Sequence, residues 1–495
     1  MPGWFQKSCN PFSALEQPCE LGTYASYSIN VTSAEDIAAG IKFSKAHNIR
    51  LVIKNKGHEL IMIGPSFSAS GKSTGKGGLS LWTNNMKDIE VIPEYESNSY
   101  TGPAIKVGAG VMGLEVYEAA GASGYLMVGG NCPSVGMAGG YAQGGGHSGL
   151  SSTYGLAADN VLEWEAVTAD GEYLTATPDE NADLYWALSG GGGGTYAVVT
   201  SMTVRLYEDG PVGGGYLTFD NSTVGTDVLW DAVELFNERL PTLTNNSGIT
   251  LAYSLASNAF GIYNLVAPGR SSTEVEEVLQ PFLTDLEGLG IPYNVSTHES
   301  STYLEQLHRD YSPFPDGPFA TSALLSGRLI PKATLLDPSS NAGLTPVLRS
   351  ALASGQFVAL MQSIDVAIGS GSSLAIQPVA DNAVLPAWRG AAIQAIITAP
   401  WDWTVPRSEM ERRQRVLADE ITPALGAATP GSGTYLNEAN FQQKDWQTEF
   451  FGSNYPRLLE IKKKYDPESL FYATQAVGSE AWEVDEVGRL CRAST

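Results

Sequence analysis

The sequence has few basic residues for its length. Of 495 residues, 29 are Lys or Arg and 53 are Asp or Glu, which gives a formal net charge of -24. A surface of this charge repels nucleic acid and anionic lipid, so neither is expected as a partner. Long apolar runs are also missing. Without a run of about 18 apolar residues, no membrane-spanning helix is predicted.

Cysteine is scarce as well. The four cysteines are Cys9, Cys19, Cys132 and Cys491. None of them belongs to a Cys-x-x-Cys pair, so a zinc site or another metal site is not expected. Cys9 and Cys19 bracket a short loop that contains proline, and this spacing fits either a disulfide or two free thiols.

The N-terminus lacks the apolar segment of a signal peptide. Asn-x-Ser/Thr sequons nevertheless favour the secretory pathway. We therefore expect a secreted protein whose N-terminal sequence is incomplete, and an intracellular location stays open. The sequons are at Asn30, Asn221, Asn245 and Asn294.

Glycine, in contrast, is abundant, and nine glycines lie between residues 128 and 149 around Cys132. Glycines supply no side chain to a core, but they let backbone N–H groups approach a ligand closely. Neither common nucleotide-binding motif fits. The G-x-x-x-x-G-K-[ST] motif is absent, and residues 144–149 do not open a βαβ unit. The loop therefore indicates a phosphate-bearing or flat polar cofactor held in another way.

The order of elements predicts an α+β chain. Residues 25–56 have the pattern of strand, helix and strand, with Ser33 as the helix cap. A hairpin is predicted with its turn at 169–171. Beyond residue 211, strands alternate with helices at about 226–239, 272–287 and 408–420. A last helix is predicted from Tyr455 up to Pro467.

Two reactive side chains lie in glycine-rich turns, His58 in one and Cys132 in the other. Cys132 has neither the basic neighbour of a nucleophilic cysteine nor the companion ligands of a metal-binding one nearby in the sequence. The residues alone leave two interpretations open. The two side chains hold one cofactor from two sides, or they are a polar turn histidine and a small buried thiol.

Several motifs resemble the berberine bridge enzyme-like branch of the vanillyl-alcohol oxidase and p-cresol methylhydroxylase superfamily, in particular its fungal members. The resemblance runs in family order from about residue 24 to the end of the chain. Each motif is weak by itself, whereas the ordered set is specific. The motifs cover residues 57–59, 72–82, 130–136, 144–147, 154–161, 183–194 and 454–467.

This resemblance implies an α+β fold with a two-part FAD-binding domain of the p-cresol methylhydroxylase type. Residues 1–210 would form that domain, and 440–495 would return to it as the C-terminal berberine bridge enzyme-like segment. An α+β substrate-binding domain, 211–439, would be inserted between them. FAD would be attached covalently through His58 and Cys132. Further FAD-binding residues are expected at Ser73, Thr74, Gly75, Gly130, Val135, Gly136, Gly139, Gly144, Gly145, Gly146, Asn160 and Val199.

The resemblance also implies an activity. The expected enzyme is a monomeric FAD-dependent oxidase that takes a hydride from a C–H bond next to a hydroxyl or amine. Its substrate would be a small molecule, either a secondary metabolite or a sugar, and dioxygen would become hydrogen peroxide. Val135 resembles the small residue that leaves room for dioxygen.

One departure from the family pattern concerns the catalytic base. Phe450 stands where the pattern has a tyrosine, and phenylalanine cannot accept a proton. Catalytic roles are therefore expected from Tyr154, Tyr455 and Gln394, with Tyr154 first. Glu449, or an acid of the second domain, is the alternative.

A second departure is the additional segment at residues 60–70, directly after the expected histidine tether. It is either a lid or an error at a splice junction, and a displaced His58 would lose its bond to the flavin. Two alternatives to an oxidase remain. One is a flavoprotein of the same fold that binds, isomerises or cyclises its ligand, and the other is a secreted binding protein without a cofactor.

Overall fold

A computed structural model describes residues 15–16, 18–57, 72–244, 247–311, 323–368, 377–402, 404–485 and 488–493. The chain begins with a small parallel sheet in the order β1-β3-β2. As predicted, Ser33 caps the first helix, because its Oγ accepts a hydrogen bond from the backbone N of Asp36 at 3.3 Å. The elements are β1 (Tyr27–Asn30), α1 (Ala34–His47), β2 (Leu51–Lys54) and β3 (Leu79–Trp82).

A five-stranded antiparallel sheet follows, in the order β4-β5-β9-β7-β8. Its strands β7 and β8 form the predicted hairpin, with Val167 opposite Tyr173. The elements of this part are β4 (Ile89–Glu96), β5 (Thr101–Gly108), α2 (Gly113–Ala122), β6 (Tyr125–Leu126), α3 (Ser151–Tyr154), β7 (Val161–Val167), β8 (Tyr173–Ala176), α4 (Ala182–Leu188), β9 (Val198–Arg205) and β10 (Tyr207–Glu208).

The middle of the chain forms a seven-stranded antiparallel sheet in the order β14-β11-β13-β12-β16-β17-β15. The predicted helices near 226, 272 and 408 are confirmed as α5, α6 and α10. The elements are β11 (Val212–Asp220), α5 (Thr226–Thr244), β12 (Thr250–Leu255), β13 (Ala259–Pro268), α6 (Ser272–Gly288), β14 (Tyr293–Ser300), α7 (Tyr303–Tyr311), β15 (Ala323–Pro331), α8 (Lys332–Leu336), α9 (Pro338–Leu352), β16 (Val358–Ser363), β17 (Ala391–Pro400), α10 (Arg407–Val416) and α11 (Thr422–Ala428).

The two faces of the seven-stranded sheet differ in composition. One face, here called the back face, joins the helices in a hydrophobic cluster that contains Phe236, Phe260 and Phe282. The rings of Phe236 and Phe282 meet edge to face at 5.0 Å, the arrangement that aromatic rings prefer. The opposite face, here called the front face, carries Gln362, which contacts Ser148 of the glycine-rich loop, and Gln394, which contacts Glu438.

The C-terminal part packs on the first half of the chain. Phe450, Phe451, Leu458 and Ile461 belong to the same hydrophobic cluster as Ile105 and other residues of the five-stranded sheet. The α+β class is thereby confirmed, while the domain boundaries near 210 and 440 stay a prediction. None of the helices in the described ranges is long and apolar enough to cross a membrane. The elements are α12 (Trp446–Phe451), α13 (Tyr455–Tyr465), β18 (Trp482–Val484) and β19 (Leu490–Arg492).

A buried ion pair attaches helix α13 to this cluster. The side chains of Lys462 and Asp466 are only 2% and 0% exposed. The ammonium donates to the backbone oxygens of Thr195 at 2.8 Å and Phe471 at 2.7 Å. The carboxylate accepts from the backbone N–H groups of Leu470 and Phe471, both at 2.8 Å. Burial lowers the pKa of Lys462, although the Asp466 charge opposes that shift.

Replacing Lys462 with methionine should destabilise the protein by about 3–5 kcal/mol, because it leaves a buried carboxylate without its cation. Urea unfolding followed by fluorescence measures this loss. Lys463→Met changes an exposed lysine one residue along the same helix and should unfold as wild type does. Equal stability of the two variants would show that the buried pair contributes little.

Candidate active site

A cleft opens between the turn that follows β2 and the glycine-rich loop. Seven separate parts of the chain contribute to its wall. The lining residues are Ile53, Asn55, Lys56, Gly57, Lys72, Ser73, Thr83, Val135, Gly136, Ala138, Gly139, Gly140, Tyr141, Gln143, Gly193, Gly194, Ala197, Val199, Asn437 and Tyr472.

The wall is built from closely packed backbone. Gly146, which is not itself part of the lining, has φ of +72°, and a Cβ at this position would be 2.8 Å from the Cβ of Ala157 and 2.9 Å from the ring of the lining residue Tyr141. A Cβ on Gly193 would be 2.9 Å from the Cα of Gly140. The glycines thus bring two backbone segments together at one side of the cleft, and they leave backbone groups accessible to a ligand.

The charge of the cleft is opposite to that of the whole chain. Its described lining includes the two ammonium groups of Lys56 and Lys72 and no carboxylate. Burial, helped by the positive charge of Lys87, lowers the pKa of Lys56 to about 8. A negatively charged ligand in the cleft would counteract the effects of burial and of Lys87, because it would stabilise the charged ammonium of Lys56. A phosphate-bearing ligand therefore fits this wall better than a cationic one.

One polar atom of the wall has no partner. Gln143 donates through Nε2 to the backbone oxygen of Ala138 at 2.8 Å, whereas its buried Oε1 accepts no hydrogen bond among the described residues. Buried polar atoms normally have a partner, so this oxygen is an acceptor for a ligand N–H or O–H group. The backbone cradle, the two ammonium groups and this acceptor together suit a dinucleotide that has a flat polar ring, such as FAD.

A buried polar network lies next to the cleft. Glu438 is 0% exposed and directly follows the cleft-lining residue Asn437. Its Oε1 lies 3.0 Å from Nε2 of His147, and its other oxygen accepts a hydrogen bond from Nε2 of Gln394. Nδ1 of His147 lies 3.1 Å from Oε1 of Gln362.

The orientation of Gln362 determines where the protons are. Its Nε2 donates to the backbone oxygen of Ser148 at 2.8 Å, so its Oε1 is the acceptor for Nδ1–H of His147. The contact between Nε2 of His147 and Glu438 must then contain a second proton. The two buried groups share that proton across their 3.0 Å contact.

Aromatic rings surround this pair and limit its contact with water. The Tyr435 ring meets the His147 ring edge to face at 5.4 Å, and the Trp388 ring lies 6.1 Å from it. Tyr435 also accepts a hydrogen bond from Nδ2 of Asn437 at 2.7 Å. The same Nδ2 donates to the backbone oxygen of Gly140 at 2.8 Å. These bonds attach the segment that carries Glu438 to the glycine-rich loop.

The predicted cofactor residues divide into two groups. Ser73, Val135, Gly136, Gly139 and Val199 line the cleft. Thr74, Gly75, Gly130, Cys132, Gly144, Gly145, Gly146 and Asn160 are described but are not part of the lining.

Cys132 has a free thiol that is 5% exposed, 3.6 Å from Oγ of Ser134. Burial raises the pKa of this thiol. Asn160 has structural partners instead, since its side chain donates to the backbone oxygens of Tyr154 and Leu156 and accepts from Tyr207. His58, Cys9, Asn245 and the segment 60–70 lie outside the described residues, so the predictions on them stay predictions.

The predicted catalytic residues lie in three different places. Gln394 contacts Glu438 as described above. The Tyr154 ring packs on Tyr207 with 4.1 Å between centroids, and the Tyr455 hydroxyl donates to Glu480 at 2.6 Å. Neither tyrosine is part of the cleft lining or of the His147 network.

Glu449, the alternative base, and Phe450, which replaces the tyrosine of the family pattern, also lie away from the His147 network. Glu449 pairs with Arg328. Phe450 is buried and packs beside Trp446.

Sequence reasoning missed the central pair of this network. His147 belongs to the motif at residues 144–147, but the sequence predicted no role for it. Glu438 and Gln362 lie in segments whose pattern shows no sign of function. A glutamate in a polar stretch normally faces water, and only the folded structure shows that this one is buried. The acidic residues of the middle segment were considered as a group, so no signal singled out Glu438.

Two family models match the chain. Residues 25–177 match a model described as "FAD binding domain", and residues 434–478 match one described as "Berberine and berberine like". The VAO-type flavoprotein oxidase VAO615 of Thermothelomyces thermophilus is 47% identical over 98% of this chain and 82% of its own length. The bifunctional decalin synthase calF of Penicillium decumbens is 45% identical, over 99% and 83%.

Solved structures agree with these relatives. The VAO-type flavoprotein MtVAO615 of Myceliophthora thermophila C1 superimposes with a TM-score of 0.91 at 47% identity, over 98% of this chain and 85% of that one. A glucooligosaccharide oxidase of Acremonium strictum has a TM-score of 0.73 at 19% identity, over 93% of both chains, and shows likeness of fold alone. That protein is described with a 6-S-cysteinyl, 8α-N1-histidyl FAD. The chain therefore belongs to the berberine bridge enzyme-like branch of the VAO-type flavoproteins and is an FAD-linked oxidoreductase, as the sequence predicted.

Proposed function

We propose that this protein is an oxidase that holds FAD covalently and removes a hydride from a C–H bond next to a hydroxyl or amine of a small molecule. The observation that carries the proposal is the buried Glu438–His147 pair, one residue from the wall of the FAD cleft. When bound, FAD supplies the hydride acceptor and passes the electrons to dioxygen. The protein's own residues bind the substrate and take its proton.

Contact between two loops supports attachment of FAD from two sides. Asn55, three residues before His58, packs against the loop that follows Cys132. A Cβ on Gly136 would be 1.8 Å from Oδ1 of Asn55, and one on Gly139 would be 2.8 Å from it. Nδ2 of Asn55 donates to Oγ1 of Thr83 at 3.2 Å. The two loops that would supply the histidyl and cysteinyl bonds are thus held against each other.

The proton of the substrate goes to Glu438. When a hydride leaves the carbon of an alcohol, its hydroxyl must lose a proton for the carbonyl to form. A carboxylate held in place by His147 and Gln394 can take that proton as a general base. Gln394 and Gln362 keep the two side chains in place, so little reorganisation is needed when the proton moves.

Val135 supports dioxygen as the final acceptor. It is buried in the wall of the cleft beside Gly136, and its side chain is small. A second candidate function comes from a relative, because the chain is 45% identical to a protein described as a bifunctional decalin synthase. In that case the protein would bind and cyclise its ligand. Oxygen uptake with a productive substrate distinguishes an oxidase from a cyclase.

The two attachments predict how flavin behaves on acid denaturation. In wild type and in each of the single variants His58→Ala and Cys132→Ala, yellow absorbance should remain with the precipitated polypeptide. In the double variant it should stay in the supernatant, because both bonds are missing. Absorbance held by Cys132 alone would show that His58 does not react. Precipitates without flavin in folded wild type would contradict the covalent attachment.

The packing of Asn55 predicts a second effect on the cofactor. Gly136→Ala should reduce the flavin content per polypeptide, because the new methyl group would overlap Oδ1 of Asn55 and push the loops apart. Gly121→Ala is the matched control, since a Cβ there would be in ordinary contact, 3.4 Å from Leu304. The ratio of flavin absorbance to protein absorbance measures the content. An unchanged ratio in Gly136→Ala would show that the loops tolerate separation.

The proton transfer predicts the effect of removing the base. Glu438→Gln should slow flavin reduction by about 10²–10⁴-fold, because an amide cannot accept the proton. Its flavin content should be normal. Stopped-flow absorbance measures the rate with any alcohol that wild type oxidises. Glu449→Gln is the comparison, since Glu449 pairs with Arg328. A slow Glu449→Gln beside a normal Glu438→Gln would assign the base to Glu449.

A further inference from the structure

Strand β13 contains an irregularity in its pairing with β12, the strand that also pairs with the Gln362 strand β16. In its pairing with β12, Ile262 is opposite Tyr253 and Asn264 is opposite Ala252, so Tyr263 is an extra residue in β13. This is a β-bulge, and bulges are frequent beside active sites, where they redirect a side chain.

The bulge puts Tyr263 on the front face of the sheet. Ile262 and Leu265 both belong to the hydrophobic cluster on the back face. Side chains alternate along a regular strand, so two residues three positions apart cannot both face the same way without a bulge. The two residues between them, Tyr263 and Asn264, therefore both face the front.

The register across the sheet connects this face with the Glu438 network. Asn264 is opposite Ala252, Ala252 is opposite Gln362, and Gln362 is opposite Gln394. Residues directly opposite one another on neighbouring strands share a face. Tyr263 consequently lies on the same face as the two glutamines that hold His147 and Glu438.

Tyr263 is unusual for a residue of an inner strand. Its side chain is 39% exposed, although its neighbours Ile262 and Asn264 are buried. Burial by the surrounding structure and the negative charge of Glu438 raise the pKa of Tyr263 to about 12. The Tyr263 ring is therefore an accessible group of the front face, the face on which Gln394 contacts Glu438.

Small side chains lie beside Tyr263 on this face. Ala252 and Ser254 project from β12, and Gly261 from β13 is opposite Ser254. Beyond them, β16 contributes Gln362 and Leu360. Strands β13 and β16 are two strand spacings apart, roughly 10 Å. The sheet thus forms a slot with a floor of small residues between the Tyr263 ring and the β16 side chains.

The described residues that form the slot carry no charge. Ser254, Gly261 and Leu360 are partly exposed, whereas Ala252 and Gln362 are buried, so the slot opens on the Ser254 side. Its closed end is nearest to Gln362, which holds His147. The carboxyl group of Glu438 lies near that end, bonded to Gln394 on the strand next to Gln362, and would repel an anion.

From this geometry we propose that Tyr263 is the substrate-positioning residue and that the substrate is an uncharged alcohol carried on a ring. The ring of the substrate lies over Ala252 and Ser254 against the Tyr263 face, and its hydroxyl-bearing carbon points to Glu438. This inference rests on the proposed function. Stacking on an aromatic side chain and apolar contact with Leu360 favour a flat ring over an oligosaccharide.

The test uses the flavin-loaded enzyme and five probes: benzyl alcohol, cinnamyl alcohol, 4-(hydroxymethyl)benzoate, glucose and cellobiose. Bleaching of flavin absorbance without oxygen reports hydride removal whatever the final acceptor is. The two neutral aromatic alcohols should bleach the flavin. The benzoate should do so with an efficiency lower by about tenfold or more, because its charge faces Glu438.

Four variants separate positioning from folding. Tyr263→Ala should raise the substrate concentration for half-maximal bleaching by about tenfold, with normal flavin content and melting temperature. Tyr263→Phe keeps the ring and should retain most of the affinity. Ser254→Leu narrows the open end of the slot and should weaken cinnamyl alcohol more than benzyl alcohol. Tyr27→Ala removes a tyrosine that is 78% exposed elsewhere and should behave as wild type does.

Each result decides one point. Unchanged half-maximal concentrations in Tyr263→Ala would overturn the role of Tyr263. Equal efficiency with the benzoate or with cellobiose would overturn the substrate class. Wild type that retains flavin but is bleached by none of the probes would also overturn the class, while the covalent FAD site would stand. Folded wild type without flavin would instead contradict the proposed function itself.

Discussion

Burial of one carboxylate is the constraint on which the site depends. Glu438 is fully buried, and an ionised group there is costly unless it is paired and hydrogen-bonded. Its partners come from distant parts of the chain: His147 from the glycine-rich loop and Gln394 from the seven-stranded sheet. Glu438 can contact both His147 and Gln394 only when the loop, the sheet and the C-terminal segment are all in place. The catalytic arrangement is therefore also a contact that holds these parts together.

The same constraint explains the division of the sheet into two faces. The back face buries aromatic residues such as Phe260 against helices and stabilises the fold by hydrophobic burial. The front face carries Gln362 and Gln394 as partners of the network and has small residues, such as Ala252, beside them. A front face of large apolar residues would fill the space in front of Glu438. One face of the sheet thus stabilises the fold, and the opposite face leaves room for a substrate in front of Glu438.

The sequence predicted those elements correctly whose residues show a periodic pattern or a local motif. Helices such as α5 and α6, the hairpin of β7 and β8, and the glycine-rich wall of the cleft follow from local pattern. Family membership followed from ordered motifs and is confirmed. The partners of Glu438 follow from contacts across hundreds of residues, which no local pattern contains. The tyrosines expected to be catalytic illustrate this, because Tyr455 is bonded to Glu480 instead.

The bulge at Tyr263 is the clearest case of information that is absent from the local sequence. The stretch from Ala259 to Pro268 has the pattern of an ordinary strand, and simple alternation would put Ile262 and Asn264 on one face. The pairing partners show the reverse for Asn264, because Ala252 and Gln362 fix its face from across the sheet. One inserted residue therefore decides which side chain meets the substrate. Proteins of one fold can change their substrates through such a shift while the FAD site and the base stay the same, because the bulge alters neither the glycine-rich loop nor the segment that carries Glu438.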